Sequence, residues 1–260
     1  MINCTVMKRM CLLFILILSI FLSSCKGPNE TDHSYTLEEY RELGMPDYDT
    51  VWNIQDYETA FLVLKTLKYD WKPFALPVKD SEKSGILFSR MMNLENLSFL
   101  QDETLPLHMK AQTILWWLNI YYELIDVYTN VQMKRQYYIR ELVDIDIFGV
   151  GLAQKMLDLG NELNKSEDPS DVAMQSGVPA IQKMYIDILA EVLEKQQHTS
   201  RYPKQTLELL SDSLSNSVRR NIGLFDEDAS EKIKQEMLTV IDSTSSRKIR
   251  NNYRELIEIL

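Results

Sequence analysis

An all-α bundle or array of about eight helices is the fold this sequence predicts, and three observations predict it. Between Ile114 and Tyr128, 12 of 15 residues are apolar or aromatic. Their polar companions Gln112, Asn119, Glu123, Asp126 and Asn130 share one strip about 60° wide on a 3.6-residue helix. Next, Tyr138, Leu142, Ile145, Gly149, Leu152, Met156, Leu159 and Leu163 recur at alternating spacings of four and three, which is one continuous helix face. Finally, no convincing strand pattern appears, and the chain has only eight glycines.

The first element is a leader. Lys8 and Arg9 precede a 13-residue apolar run from Met10 to Leu22. That is short of the roughly 20 residues a transmembrane helix needs, but it suits a signal peptide. The run ends in Leu22-Ser23-Ser24-Cys25. This terminus resembles the lipobox of bacterial lipoproteins, and the resemblance covers residues 1 to 25. It implies cleavage of residues 1–24 and a diacylglycerol on Cys25, which makes Cys25 the lipidation site and the lipid the contact with the membrane. An uncleaved N-terminal anchor is the alternative; in both cases the domain is held at a membrane, facing away from the cytoplasm.

Residues 25–35 read as the lipidated cysteine and a polar tether. Lys26 is not the aspartate that resembles an inner-membrane retention signal, so the expected address is the outer membrane of a bacterial cell envelope, on either face. Cys4 and Cys11 fall in the leader. The mature domain then has neither a free thiol nor a disulfide and relies on its hydrophobic core. Losing Lys8 and Arg9, and no acid, takes the formal net charge from −10 to −12. Charge of that sign disfavours nucleic acid and anionic lipid as partners.

Residues 36–260 form the expected helical domain. Thr36 with Glu39 makes a capping box for a short helix that Gly44 stops. A helix from about Asn53 to Lys68 carries Ile54, Tyr57, Phe61, Leu64 and Leu67 on one face. Residues 69–84, with Pro73 and Pro77, read as an irregular loop. Helical spacing resumes over Ile86 to Leu97, and Pro106 opens the most apolar helix as its N1 residue, with neighbours expected on most sides. In the seam that follows, Gly149, Gly151, Ala153 and Gly160 let another helix approach closely. A break near Asp144 to Asp146 is possible, because either aspartate can cap. Residues 165–177 read as a loop and a possible subdomain boundary. Pro179 and Pro203 start two further helices, Asp228 with Glu231 caps another, and the last runs from Ser246 to Leu260.

Chemistry is thinly supplied. There is no Gly-x-Ser-x-Gly, and the only histidines are His33, His108 and His198. Glu30-x-x-His33 lies in the tether, away from any bundle in which a di-metal site forms. Asp47, Asp49, Asn53 and Glu58 partly mimic a calcium loop, but Trp52 stands where the turn needs glycine, and Asn53 suits a helix cap. Gly149-Val150-Gly151 follows no strand and lacks a third glycine, so it is no phosphate cradle. No catalytic residue, metal site or cofactor is therefore assigned.

Paired carboxylates remain. Glu123 and Asp126 lie on the polar strip near Trp116, while Asp146 interrupts an otherwise apolar face. If the two helices are neighbours, these acids converge in a groove. A ligand-binding set of Trp116, Asn119, Glu123, Asp126, Asn130 and Asp146 is the expectation this supports, against a plain solvated edge in which Asp146 caps a helix or pairs with Arg140. The functional expectation is a membrane-anchored, non-enzymatic module that binds a protein or small ligand. The alternatives are an envelope hydrolase using the paired acids, or an accessory capture subunit of an outer-membrane transporter, marked by an exposed aromatic patch.

Overall fold

The computed structural model describes residues 34–72, 74–131, 138–197 and 202–260. Cys25, the leader, the tether up to residue 33, His33 and His198 lie outside the described residues. Within them the chain is all-α: α1 (Leu37–Glu42), α2 (Ile54–Leu67), α3 (Gly85–Met91), a 3-10 helix (Leu94–Gln101), α4 (Leu107–Thr129), α5 (Ile139–Leu163), α6 (Pro169–Gln175), α7 (Val178–Gln196), α8 (Lys204–Arg220), a 3-10 turn (Ile222–Leu224), α9 (Glu227–Ser243) and α10 (Arg247–Ile259).

Local chemistry starts these helices. Thr36 and Glu39 form the expected capping box, and Gly44 ends the segment at φ +92°, a conformation that favours glycine. Asn53 caps α2 in a second box with Asp56. Pro106 is the N-cap of α4 rather than its first helical residue. Asp226, not Asp228, caps α9 by accepting from the Ala229 amide at 2.8 Å. The expected Ile86–Leu97 helix divides into α3 and the 3-10 helix, with Asn93 capping the second piece.

The helices stack in layers. On one side of α5 lies α4, with α2 outside it; on the other side lie α7 and α8, covered in turn by α9 and α10. α4 and α5 run antiparallel, since Tyr128 meets Tyr138 at a ring separation of 5.4 Å while Tyr121 meets Gly149. Every seam residue of α5, from Leu142 to Leu163, is buried. The break allowed near Asp144 is absent, and α5 runs through it as one helix. Gly149 is required there, because the Tyr121 ring occupies the space a Cβ would take. Gly151 faces Leu94, whose Cδ1 lies 2.7 Å from where a Cβ would stand.

Two expected loops are more ordered than their composition implies. Residues 165–177 contain α6, capped by Asp168 and packed on α4 and α5. Residues 69–84 are irregular, yet Phe74, Ala75, Leu76 and Val78 are buried. A buried loop needs partners for its backbone, and side chains supply them. Tyr138 accepts from the Leu76 amide (3.1 Å), Tyr128 donates to Pro77 O (2.9 Å), and Glu141 accepts from the Lys79 amide (3.0 Å).

Candidate functional site

The polar strip of α4 faces α2. Glu123 pairs with Lys65 at 2.5 Å, and Asp126 pairs with Lys68 at 3.1 Å while also accepting from Asn130 at 2.5 Å. Lys65, in the last turn of α2, and Lys68, its C-cap, are three residues apart, as Glu123 and Asp126 are on α4, so the two helices are clipped by two successive ion pairs. The Lys68 ammonium holds the Asp126 carboxyl below its ordinary range, and Asn130 adds to this.

Asp146 is elsewhere. It is buried on α5, accepts from Lys195 of α7 at 2.7 Å and from the Tyr121 hydroxyl at 3.1 Å. Burial pushes its carboxyl up, opposed by Lys195 and Tyr121. The structure therefore corrects the expected set. Glu123 and Asp126 come together with Trp116 and Asn119, but Asp146 serves a separate internal pair. It neither caps a helix nor pairs with Arg140, which instead holds Asp80 at 2.7 Å. Each of the three acids is paired with a lysine, Glu123 with Lys65, Asp126 with Lys68 and Asp146 with Lys195. Nothing local in the sequence reveals these partners, since Lys195 is 49 positions from Asp146.

Above the Lys65–Glu123 pair lies a groove of about 250 Å³ between α2 and α4. Ile54, Phe61, Leu62, Trp116, Asn119 and Ile120 line it, together with Glu58, Lys65 and Glu123. Leu62 is 73% exposed and Trp116 is 56% exposed. These are the large apolar side chains at its lip, and they turn an ion-paired seam into an amphipathic depression. No family model, curated protein or solved structure matches this chain. The groove is accordingly read from its own chemistry.

The remaining candidates have structural partners. His108 Nδ1 lies 3.2 Å from Asp171, which also accepts from the His108 amide at 2.9 Å and joins α4 to α6. Asp47 accepts from the Asp49 amide, and Asn53 is committed to its cap. A residue the sequence reading passed over is Glu141, in the first turn of α5. Burial pushes its carboxyl up to about 7. Its only signal was an acid at the start of a seam, which is ordinarily a solvated helix end. Among the described residues no group of three or more His, Cys, Asp or Glu is placed to hold a metal ion, and no helix is long and apolar enough to cross a membrane.

Proposed function

We propose that the chain is a lipid-anchored, non-enzymatic binding module of the bacterial cell envelope, with the α2–α4 groove as its docking face. The observation that carries this is Leu62 and Trp116 standing exposed beside the Lys65–Glu123 pair. Large apolar side chains at the lip of a polar-rimmed depression are the usual anchors of an interface. Glu58 and Glu123 on the rim, with the acidic net charge, suit a partner segment that presents an apolar side chain next to a basic one. The hydrolase alternative has less support than the binding reading, because Asp146 sits apart from Glu123 and Asp126 and each of the three acids is paired with a lysine. A capture subunit of a transporter is favoured as a second reading by Tyr69, Trp71, Trp116 and Tyr122, all exposed aromatics.

The anchor rests on Leu22-Ser23-Ser24-Cys25. Site-specific photo-cross-linking in intact envelopes tests the docking face. A cross-linker at Leu62 should yield a discrete adduct that Trp116→Ala diminishes, while one at Leu238, exposed on α9, should not. The same adducts from both positions, or an adduct indifferent to Trp116→Ala, would overturn the reading.

A further inference from the structure

The turn that follows α2 carries the most exposed large apolar side chain among the described residues, Trp71 at 75%, with Tyr69 at 58% close by. Three residues beyond Trp71 the same segment is anchored. Phe74 is buried, its ring meets Tyr138 edge-on at 6.1 Å, and its φ of +56° lies in the left-handed region. A bulky residue stays in that region only where its surroundings hold it. Asp70 Oδ1 accepts from the Lys72 amide at 2.7 Å, which closes a turn with Trp71 at its tip. The exposed indole therefore stands on a fixed base.

The first described residues of the chain dock against this turn. The Tyr35 hydroxyl donates to Asp70 at 2.7 Å, and the Lys72 ammonium lies 3.7 Å from the centre of the Tyr35 ring. Ser34 Oγ meets Ser81 Oγ at 2.9 Å. Trp71 is thus bracketed by the two residues that grip Tyr35. Nine peptide units link Cys25 to Ser34, a reach of at most about 30 Å even when fully extended. With a lipid on Cys25, this end of the domain stands no farther than that from the bilayer. The turn itself is electrically balanced, since residues 69–72 carry one acid, Asp70, and one base, Lys72. It therefore escapes the repulsion that the acidic domain as a whole meets at an anionic surface.

We propose that the Tyr69–Trp71 turn is a second membrane contact, which seats the domain on the interfacial layer of the bilayer that holds its anchor. The proposal rests on the lipid at Cys25 and not on the α2–α4 groove. Tryptophan and tyrosine favour that layer, because the body of the ring enters the apolar boundary while its N–H or O–H stays among the headgroups. Such a seat leaves the groove open. Asp126 of α4 pairs with Lys68, the residue before Tyr69. Trp116 lies ten residues earlier on α4, roughly 15 Å along the helix axis. Trp116 is accordingly an internal reference for Trp71, exposed like it but away from the seat.

The test uses the full lipidated chain in phosphatidylcholine nanodiscs that carry a gadolinium chelate on some headgroups, with a diamagnetic lutetium chelate as the reference. It follows the ¹⁵N-labelled indole and backbone amide signals, the indoles being assigned with Trp71→Phe and Trp116→Phe. The Trp71 indole signal should be lost to paramagnetic broadening while the Trp116 signal survives. In the double variant Tyr69→Ser, Trp71→Ser, the Lys72 amide, broadened in the native chain, should recover. Both replaced side chains are exposed, so the variant keeps its fold. Mass spectrometry of the same sample separates the two readings. A chain without diacylglycerol on Cys25 would overturn the anchor and this proposal together. With diacylglycerol present, a sharp Trp71 signal, equal losses at Trp71 and Trp116, or a Lys72 amide still broadened in the double variant would overturn the seat alone. A Trp71 that is sharp in nanodiscs but cross-links to a protein in intact envelopes would also overturn it, and would assign the turn to a protein partner.

Discussion

The two longest helices lie side by side and bury their residues in opposite ways. α4, 23 residues long, is the more uniformly apolar, yet Met109, Leu115, Trp116 and Tyr122 on it are exposed. α5, 25 residues long, exposes no large hydrophobic side chain, and it buries even Glu141 and Asp146. Neighbours make the difference. α5 is enclosed by α4, α6, α7 and α8, whereas α4 rests on α5, α2 and α6 and leaves an outer face open. Apolar composition measures what a helix is able to bury; the regular spacing of its seam and its glycines records what it does bury. The apolar surplus on α4 is the surface proposed above as the docking face.

Breaking α5 should produce the largest effect. Leu152, fully buried in the seam, should cost about 2–5 kcal/mol when truncated to alanine, as buried leucines do. Denaturant unfolding followed by circular dichroism checks this, and a loss below about 1 kcal/mol would remove α5 from the centre of the fold. Gly149→Ala should cost about 1–3 kcal/mol, the usual range for overpacking. The buried Tyr121 ring, held by Asp146, has no room to yield. Gly160→Ala is the internal control, because its nearest neighbours sit at an ordinary 3.6 Å, and it should be tolerated.

A pH series sharpens the contrast further. The Glu141 carboxyl rises from an ordinary 4.5 to about 7 in the folded chain. Between those values the folded state holds a proton that the unfolded state has released, so stability falls as pH rises through that window. Asp144 and Asp146 are raised as well and act in the same direction. Glu141→Gln should remove its share of the decline, and an unchanged slope in that variant would contradict the assignment. The smallest effects belong to the strip. Glu123→Gln and Asp126→Asn remove exposed ion pairs, and each should lower stability by no more than about 0.5 kcal/mol. A rise would instead indicate acids repelling one another, which Lys65 and Lys68 preclude.

Much of the fold was legible where the determinant is local. Thr36 with Glu39, Asn53, Gly44 and Ser246 act within a few residues of themselves, and each is found at the helix end it was expected to mark. The α5 seam was legible because strict periodicity leaves little choice of buried face. Long-range facts were not. The 69–84 loop reads as surface by its prolines and charges, but Tyr128, Tyr138 and Glu141 satisfy its backbone from 51 to 62 positions away. The candidate site was half legible. Trp116, Asn119 and Glu123 share a face by spacing alone, and that face does line the groove. Asp126 and Asn130 continue it beyond the depression, and Asp146 was drawn in only by its charge. The polar strip showed where α4 meets α2, but not which apolar residues beside it would remain uncovered.

Adjacent tryptophans on α4 provide the most direct test of the central claim, that this helix buries one face and offers another. Trp116 is 56% exposed and Trp117 is 1% exposed. In parallel denaturant titrations, Trp117→Ala should cost about 3–5 kcal/mol, and Trp116→Ala should change stability by no more than about 0.5 kcal/mol. Comparable losses from both substitutions would mean that α4 is enclosed on all sides, and the account of its outer face would be wrong.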